Sequence, residues 1–465
     1  MTVPSWVADS IFYQIFPDRF ANGDISNDPP NVQPWDSSPT NWGFHGGDFR
    51  GILQHFDHLL NLGITAIYLN PIFHSSSNHR YNTFDYFKID PKLGDMNDFQ
   101  NFLDLAHRNN IHVLLDGVFN HCGRGFFAFN DLLENEKHSA YKDWFHTSTF
   151  PLDAFSPGDA INYEAWWKLK SLPKFNTNNL QVRKFLLDVS RYWIERGIDG
   201  WRLDVPNEID DDSFWEEFRE IVLRTNKDAY LLGEIWTADP RWVNEKHFDG
   251  LMNYPLRETF LNLIQVGEAG LLDFVRSVEE LISIYPHENT YSMYNFLGTH
   301  DTERLFTKVG FNTLKAKLAF LLLFSIPGVP SIYYGDEVGL QGEKDPDCRR
   351  TFSWDQSTWN LELYYWVQSL VSLRKKFVAL RHGDFGSIFL DKSKGIYAFS
   401  RGIENEKILV VMNVTENRQQ VKIPVSVLGW QDGRRVTDIF TNHNTNINGN
   451  LVSIDLLPWS GTWIS

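Results

Sequence analysis

The sequence predicts a (β/α)8 barrel with a subdomain inserted after the third strand and an antiparallel β-sandwich at the C-terminal end. Two observations carry this. Eight short apolar runs alternate with amphipathic helical stretches. Beyond the helix near Leu361–Phe377, the pattern becomes short alternating runs separated by turn residues. The strand runs are Ile11–Phe20, Ile64–Pro71, His112–Asn120, Gly200–Pro206, Tyr230–Trp236, Phe248–Tyr254, Tyr291–Asp301 and Val329–Glu337. They are apolar without strict alternation, as expected of parallel strands covered on both faces. Helical stretches such as Phe49–Leu62, Asn97–Asn109, Leu180–Arg196, Asp211–Arg224 and Leu314–Phe324 lie between them. The third strand is separated from its helix by a Phe- and Trp-rich segment. The expected division is a barrel over 1–120 and 177–380, a subdomain over 121–176 and a sandwich over 381–465. Runs such as GIYAFSR, KILVVMNV and QQVKIPV represent the sandwich strands.

Composition narrows the function. The 465 residues suit one large barrel plus a small extra domain. A hydrophobic content of 42% excludes global disorder. The formal net charge of −16 disfavours nucleic acid and anionic membranes as partners. Aromatics make up 15% of the chain, which suits sugar binding because flat rings cover the apolar faces of pyranoses. Two cysteines, Cys122 and Cys348, make neither a disulfide framework nor a zinc site. The N-terminus lacks a basic segment followed by an apolar run, so no signal peptide is expected. The apolar stretch Leu318–Pro327 is too short to span a bilayer. The expectation is a soluble, cytoplasmic protein.

Catalytic groups of such barrels sit at the C-terminal ends of the strands. Here those ends carry Asp116 and His121 on strand three, Arg202 and Asp204 on strand four, and Glu234 and Trp236 on strand five. His300 and Asp301 end strand seven, and Asp336 and Glu337 end strand eight. One such carboxylate alone reads as a helix cap or turn former. Carboxylates ending strands four, five and seven together, with an arginine two residues before the first, do not. Glycoside hydrolysis fits the set. An acid must protonate the leaving oxygen, and a carboxylate must face the oxocarbenium-like centre. Two carboxyl groups about 5–5.5 Å apart give the retaining double displacement. Strand alternation puts Arg202 and Asp204 on one face, so Arg202 is expected to hold Asp204 ionised. Glu234 must stay protonated through desolvation or a neighbouring charge, which Asp301 supplies. His121 and His300 are placed to donate to the same sugar.

DGVFNH (Asp116–His121), GWRLDVPNE (Gly200–Glu208), GEIW (Gly233–Trp236) and FLGTHD (Phe296–Asp301) resemble the four signature regions of the α-amylase superfamily, glycoside hydrolase family thirteen. GITAIYLNPIF and GVPSIYYGDEVGL resemble its strand-two and strand-eight regions. LPKFN (Leu172–Asn176), VPNE (Val205–Glu208), SNHRYNTFDYFKIDP (Ser77–Pro91) and DPDCRR (Asp345–Arg350) resemble the cyclomaltodextrinase, neopullulanase and maltogenic amylase branch. The resemblance covers essentially the whole chain. It implies Asp204 as nucleophile, Glu234 as general acid/base and Asp301 as transition-state stabiliser. It also implies that Arg202, His121, His300, Asp116 and Tyr81 hold the sugar on the glycone side. Asn207 and Glu208 would lie on the leaving-group side. Trp166, Trp167 and Trp236 are candidate stacking platforms, and Arg349 is a further candidate contact. Trp166 and Trp167 read equally well as subdomain core, and Tyr81 alone reads as a core tyrosine.

No cofactor is needed for this chemistry. The NGDISND loop offers Asn22, Asp24, Asn27 and Asp28 as hard oxygen ligands, with the Gly46 carbonyl and Asp48 completing a structural Ca2+ shell such as the branch has. The same residues also read as an Asx-rich turn. Branch members usually carry a β-rich domain before the barrel, and here the first strand begins by about Ile11. The branch dimer mode is therefore not expected, any homodimer should form another way, and a more open cleft should favour α-1,6 branch points and debranching. Pro206, where the branch has a small residue, should stiffen the turn after Asp204. The alternatives are a glucan transglycosylase using the same trio and, in a different class, a non-catalytic scaffold barrel.

Overall fold

The computed structural model describes residues 3–465. Eight parallel strands form the predicted barrel: β1 Phe12–Ile15, β2 Ala66–Leu69, β3 His112–Gly117, β4 Gly200–Leu203, β5 Tyr230–Gly233, β6 Gly250–Leu251, β7 Tyr294–Phe296 and β8 Val329–Tyr333. They pair in the order β6-β5-β4-β3-β2-β1-β8-β7. A parallel bridge between Met252 and Tyr294 brings the two ends together. Phe12, Ala66, Tyr68, Leu114, Tyr230, Leu232, Tyr294 and Val329 pack the interior as one buried cluster. Strand residues on the other face join the larger core formed with the surrounding helices. Both faces are therefore apolar, which is why the strands do not alternate.

The strands are shorter than the apolar runs. Their polar ends continue as loops, and those loops form the catalytic face. The run Phe248–Tyr254 yields only a two-residue strand, because Asn253 caps a helix that begins at Tyr254. The expected helix Phe49–Leu62 is two helices, Phe49–Gln54 and Phe56–Leu62, broken at His55. Capping sets several of the other starts. Asp95 and Asp98 form a capping box for Met96–Arg108, Asn179 caps Leu180–Glu195, and Asp211 caps Asp212–Thr225.

The insertion holds one α-helix, Phe127–Asn135, and short 3-10 turns, and is otherwise tied by short bridges. Phe129 meets Phe145 edge-to-face and Tyr163 at a tilt in its core. A bridge from His121 to Lys174 clamps its two ends at the mouth of the barrel.

At the C-terminus, strands β9 Asp384–Asp391, β10 Ile396–Ile403, β11 Glu406–Asn413 and β14 Ser460–Ile464 form an antiparallel sheet. Strands β12 Gln419–Pro424 and β13 Leu451–Leu456 pair opposite it. Ile396, Ala398, Leu409 and Val411 face β12 and β13. Tyr397, Phe399, Val410, Met412 and Trp463 instead join the barrel's core. The central strands are thus buried on both sides, unlike a free-standing sandwich. The contact is fixed by hydrogen bonds at the end of helix Thr313–Ser325. Trp463 Nε1 donates to Ser325 Oγ at 2.8 Å, and Arg401 Nη1 donates to the Ser325 carbonyl at 2.7 Å. Both free cysteines are buried. Among the described residues no helix is long and apolar enough to cross a membrane.

Trp463 is fully buried between sheet and barrel, so Trp463→Ala should destabilise the protein by ~3–5 kcal/mol through the cavity it leaves. Scanning calorimetry should show the barrel transition falling together with that of the C-terminal strands. A shift confined to the C-terminal strands would contradict the shared core.

Candidate active site

Register brings the first charged groups together. In the parallel pairing of β3 with β4, Asp116 lies directly beside Arg202. Arg202 is fully buried. Its Nη1 donates to Asp116 Oδ1 at 2.8 Å and to Asp204 Oδ1 at 2.9 Å. Its Nη2 lies 2.8 Å from Glu234 Oε1, as an ion pair rather than an aligned hydrogen bond. One guanidinium therefore joins carboxyls from the ends of β3, β4 and β5.

Glu234 is held from several sides. The Val205 amide donates to Oε2 at 3.1 Å, while Tyr254 Oη and Trp236 Nε1 lie 3.3 and 3.4 Å from Oε1. Burial pushes the Glu234 carboxyl up to about 7; Arg202 opposes the rise and Asp301 adds to it. Asp204 qualifies the sequence argument, which had Arg202 holding it ionised. Burial is the largest influence on Asp204 and pushes it upward, Arg202 pulls it down, and the neighbouring Glu234 and Asp116 charges push it up again. Asp204 and Glu234 thus titrate as one unit, in which the first ionisation hinders the second.

A second network is neutral and directional. Gln14 Nε2 donates to His300 Nδ1 at 2.9 Å, which leaves the imidazole proton on Nε2. That nitrogen lies 2.6 Å from Tyr81 Oη and 3.2 Å from Asp301 Oδ2. Tyr81 in turn donates to Asp116 Oδ2 at 2.8 Å, and its ring lies parallel to His300 at 5.4 Å. Tyr68 donates to the same Asp116 oxygen at 2.5 Å. Burial lowers His300 well below the usual imidazole range and lowers His121 to about 3, so both rings are neutral. Asn120 donates to His121 Nδ1 at 3.2 Å, leaving His121 Nε2 buried without a partner. Arg349 Nη2 lies 3.2 Å from Asp301, and its Nε donates to the His300 carbonyl at 2.8 Å.

The aromatic candidates lie at the rim. Trp236 is 52% exposed and stacks on Tyr254 at 3.9 Å. Trp166 stacks on His121 at 5.5 Å, and Trp167 on Trp166 at 4.5 Å. Neither is subdomain core, since Trp166 is only partly buried and Trp167 is exposed. Asn207 is exposed on a short turn over Pro206–Glu208, where Glu208 lies 4.0 Å from Lys174 of the insertion. Not expected from the sequence are Gln14, Tyr68, Asn70, whose Nδ2 donates to Tyr81 Oη at 3.1 Å, and Tyr254. The first three are polar or hydroxylated side chains inside the apolar runs of strands one and two, and that incongruity was the available signal.

The NGDISND loop lies beside the first barrel helices. Asn22 Nδ2 donates to Asp28, and Asp48 accepts from the amides of Gly23, Asp24 and Gly51. The Asn22 and Asn27 amide oxygens are buried without partners. Gly46 has φ of +82°, and a Cβ there would fall 2.1 Å from Asp28 Oδ1. Asp24 stands apart, with its carboxylate engaged by Ser26 and Arg50. Among the described residues no three His, Cys, Asp or Glu side chains converge as a metal site, so a cation here would be held largely by amide and carbonyl oxygens.

Comparison with known proteins gives the family. The α-amylase catalytic domain matches residues 14–361, and the maltogenic amylase C-terminal domain matches residues 388–463. Neopullulanase 2 of Thermoactinomyces vulgaris is 40% identical over 463 residues, 99% of this chain and 78% of that protein. The cyclic α-maltosyl-(1→6)-maltose hydrolase of Arthrobacter globiformis, in complex with that sugar, superposes with a TM-score of 0.90 at 37% identity, covering 100% of both chains. The native debranching enzyme of Nostoc punctiforme gives a TM-score of 0.89 at 38% identity, covering 100% of this chain and 99% of that one. With its barrel and its C-terminal strands both matched, this chain belongs to the α-amylase family of glycoside hydrolases.

Proposed function

We propose that the protein is a retaining α-glucan hydrolase that cleaves α-1,4 and α-1,6 glucosidic bonds by double displacement. The observation that carries this is the cluster of Asp204 and Glu234 on one buried guanidinium, with a proton held near neutral pH. Glu234 protonates the glycosidic oxygen as Asp204 attacks the anomeric carbon. The leaving sugar departs and a glycosyl ester forms on Asp204. The Glu234 carboxylate then takes a proton from water, which attacks the same carbon and frees Asp204. Asp301 and His300 engage sugar hydroxyls on the Tyr81 side, and His121 Nε2 donates to the same sugar. Trp236, Asn207 and Glu208 meet the leaving group. The α-1,6 part of the reading is supported by the debranching and maltosyl-(1→6)-maltose-cleaving enzymes among the similar structures.

Proton NMR of fresh digests of pullulan and branched maltooligosaccharides should show α-anomeric products first. Initial β-anomers would overturn the double displacement, and inertness towards every α-1,6 bond would overturn that part of the reading.

Glu234→Gln should lower kcat by about 10²–10⁴-fold. Because the acid must be protonated and the Glu234 carboxyl sits at about 7, wild-type kcat/KM should fall as pH rises through that value. A flat profile from pH 6 to 9 would reassign the acid.

The Asn22–Asp28 loop fits a structural Ca2+. Asn22, Asn27, Asp28, the Gly46 carbonyl and Asp48 would hold it, and it would supply only rigidity to the loop after β1. Asp24, expected as a ligand, would instead support the loop through Arg50. Chelator treatment should lower the melting temperature, added Ca2+ should restore it, and Asn22→Ala should abolish the difference. Identical melting with and without Ca2+ would leave the loop as an Asx turn.

A further inference from the structure

Trp42 is 82% exposed, yet the loop that carries it is held from several directions. The buried Asn78 amide donates to the carbonyls of Thr40, Asn41 and Gly43, at 3.4, 3.2 and 2.8 Å. Buried Arg19 donates from Nη2 to the same Gly43 carbonyl at 2.8 Å, and the Gly43 amide closes the turn on Thr40 Oγ1 at 2.9 Å. At the loop's other end, Trp35 Nε1 donates to the Phe352 carbonyl at 2.9 Å, and Thr351 Oγ1 donates back to the Trp35 carbonyl at 2.5 Å. A large apolar ring is thus presented to solvent on a backbone with little freedom left to lose, which is how a preorganised contact is built.

The place of its loop follows from the neighbour that pins the backbone. Asn78 immediately precedes His79, whose Nδ1 accepts from the Tyr81 amide at 3.1 Å and whose ring lies parallel to Tyr81 at 5.9 Å. Tyr81 stacks in turn on His300. A row of rings therefore runs outward from the carboxyl cluster through His300, Tyr81 and His79, and the loop bearing Trp42 is latched to its outer end. Burial, with Arg349 and Arg80 nearby, lowers His79 to about 3, so the row carries no charge to repel or attract an ionic ligand. A neutral ligand with apolar faces suits this row, and a pyranose chain has that character.

We propose that Trp42 is an extended binding subsite for the glycone end of long α-glucan chains, stacking on a sugar beyond the one held by Tyr81. The proposal rests on the hydrolase reading above and adds chain-length selectivity to it. The loop between β1 and its helix would favour polymeric or long linear arms over maltotriose.

The test compares kcat/KM for maltoheptaose and maltotriose in the wild type, Trp42→Ala and Trp42→Phe. Covering one indole face is worth about a tenfold change in binding. Trp42→Ala should therefore lower the maltoheptaose-to-maltotriose ratio of kcat/KM by about tenfold, through KM rather than kcat. Trp42→Phe should restore most of the ratio. An unchanged ratio in Trp42→Ala, or a loss carried by kcat alone, would overturn the subsite. A melting temperature equal to wild type would confirm that the change is local, and a lowered one with equal losses on both substrates would count against the proposal. Failure of the underlying reading looks different, because the wild type itself would then hydrolyse neither oligosaccharide.

Discussion

Arg202 is a fully buried cation facing three buried carboxyls, Asp116, Asp204 and Glu234. One positive charge cannot balance three negative ones in a site of low dielectric, so the cluster retains a proton near neutral pH. The barrel makes this arrangement unavoidable. Parallel register places Asp116 beside Arg202, and the same register carried across β4 and β5 sets Leu203 beside Gly233, which leaves Asp204 and Glu234 as the first residues beyond adjacent strand ends. Gly200 shows how close these strands lie, since a Cβ there would fall 2.1 Å from the Tyr230 carbonyl oxygen. An acid that must hold its proton and a nucleophile that must lose one are thus set by burial and one shared counter-ion.

The neutral network complements this charged core. Gln14, His300, Tyr81 and Asp116 form a chain of hydrogen bonds that runs in one direction, from the Gln14 amide to the Asp116 carboxyl. Such a chain fixes the His300 tautomer and holds the Tyr81 ring parallel to it without adding charge. Were His300 protonated instead, a third buried cation would sit near Arg202 and Arg349, and those two lower its proton affinity alongside burial. The buried Arg202 cluster thus lies at the ends of β3 to β5, while Gln14 and His300 position without charge and Asp301 after β7 is paired with Arg349.

What the sequence revealed follows the same division. Charged residues at strand ends stand out because burying them is costly without partners, so Asp116, Arg202, Asp204, Glu234 and Asp301 could be picked out together. Gln14, Tyr68 and Asn70 stood out only as polar side chains inside apolar runs, a signal that gives no role until the partner strands are known. The eight strands were legible from composition, but the two-residue β6 was not, because its run ends in a helix cap at Asn253 that only tertiary packing selects over strand. The break at His55 was hidden similarly within a continuous amphipathic pattern. Trp42 was invisible as a functional residue, since nothing in its own sequence reports the Asn78 latch that arrives from a distant loop.

Val205 shows how local strain serves the charged centre. It is β-branched and precedes a proline, yet it adopts φ 37° and ψ 51°, a left-handed conformation that costs on the order of 1–3 kcal/mol for such a residue. Two features hold it there. Its amide donates to Glu234 Oε2, and Pro206 opens the short turn that follows, with φ already fixed. The Val205 amide holds Glu234, and the left-handed turn at the same residue leads the chain away from β4 and brings Glu208 to Lys174 of the insertion. The turn that aligns nucleophile and acid thus also joins the barrel to the insertion, so the loop expected to meet the leaving group is positioned by the same backbone that positions the chemistry.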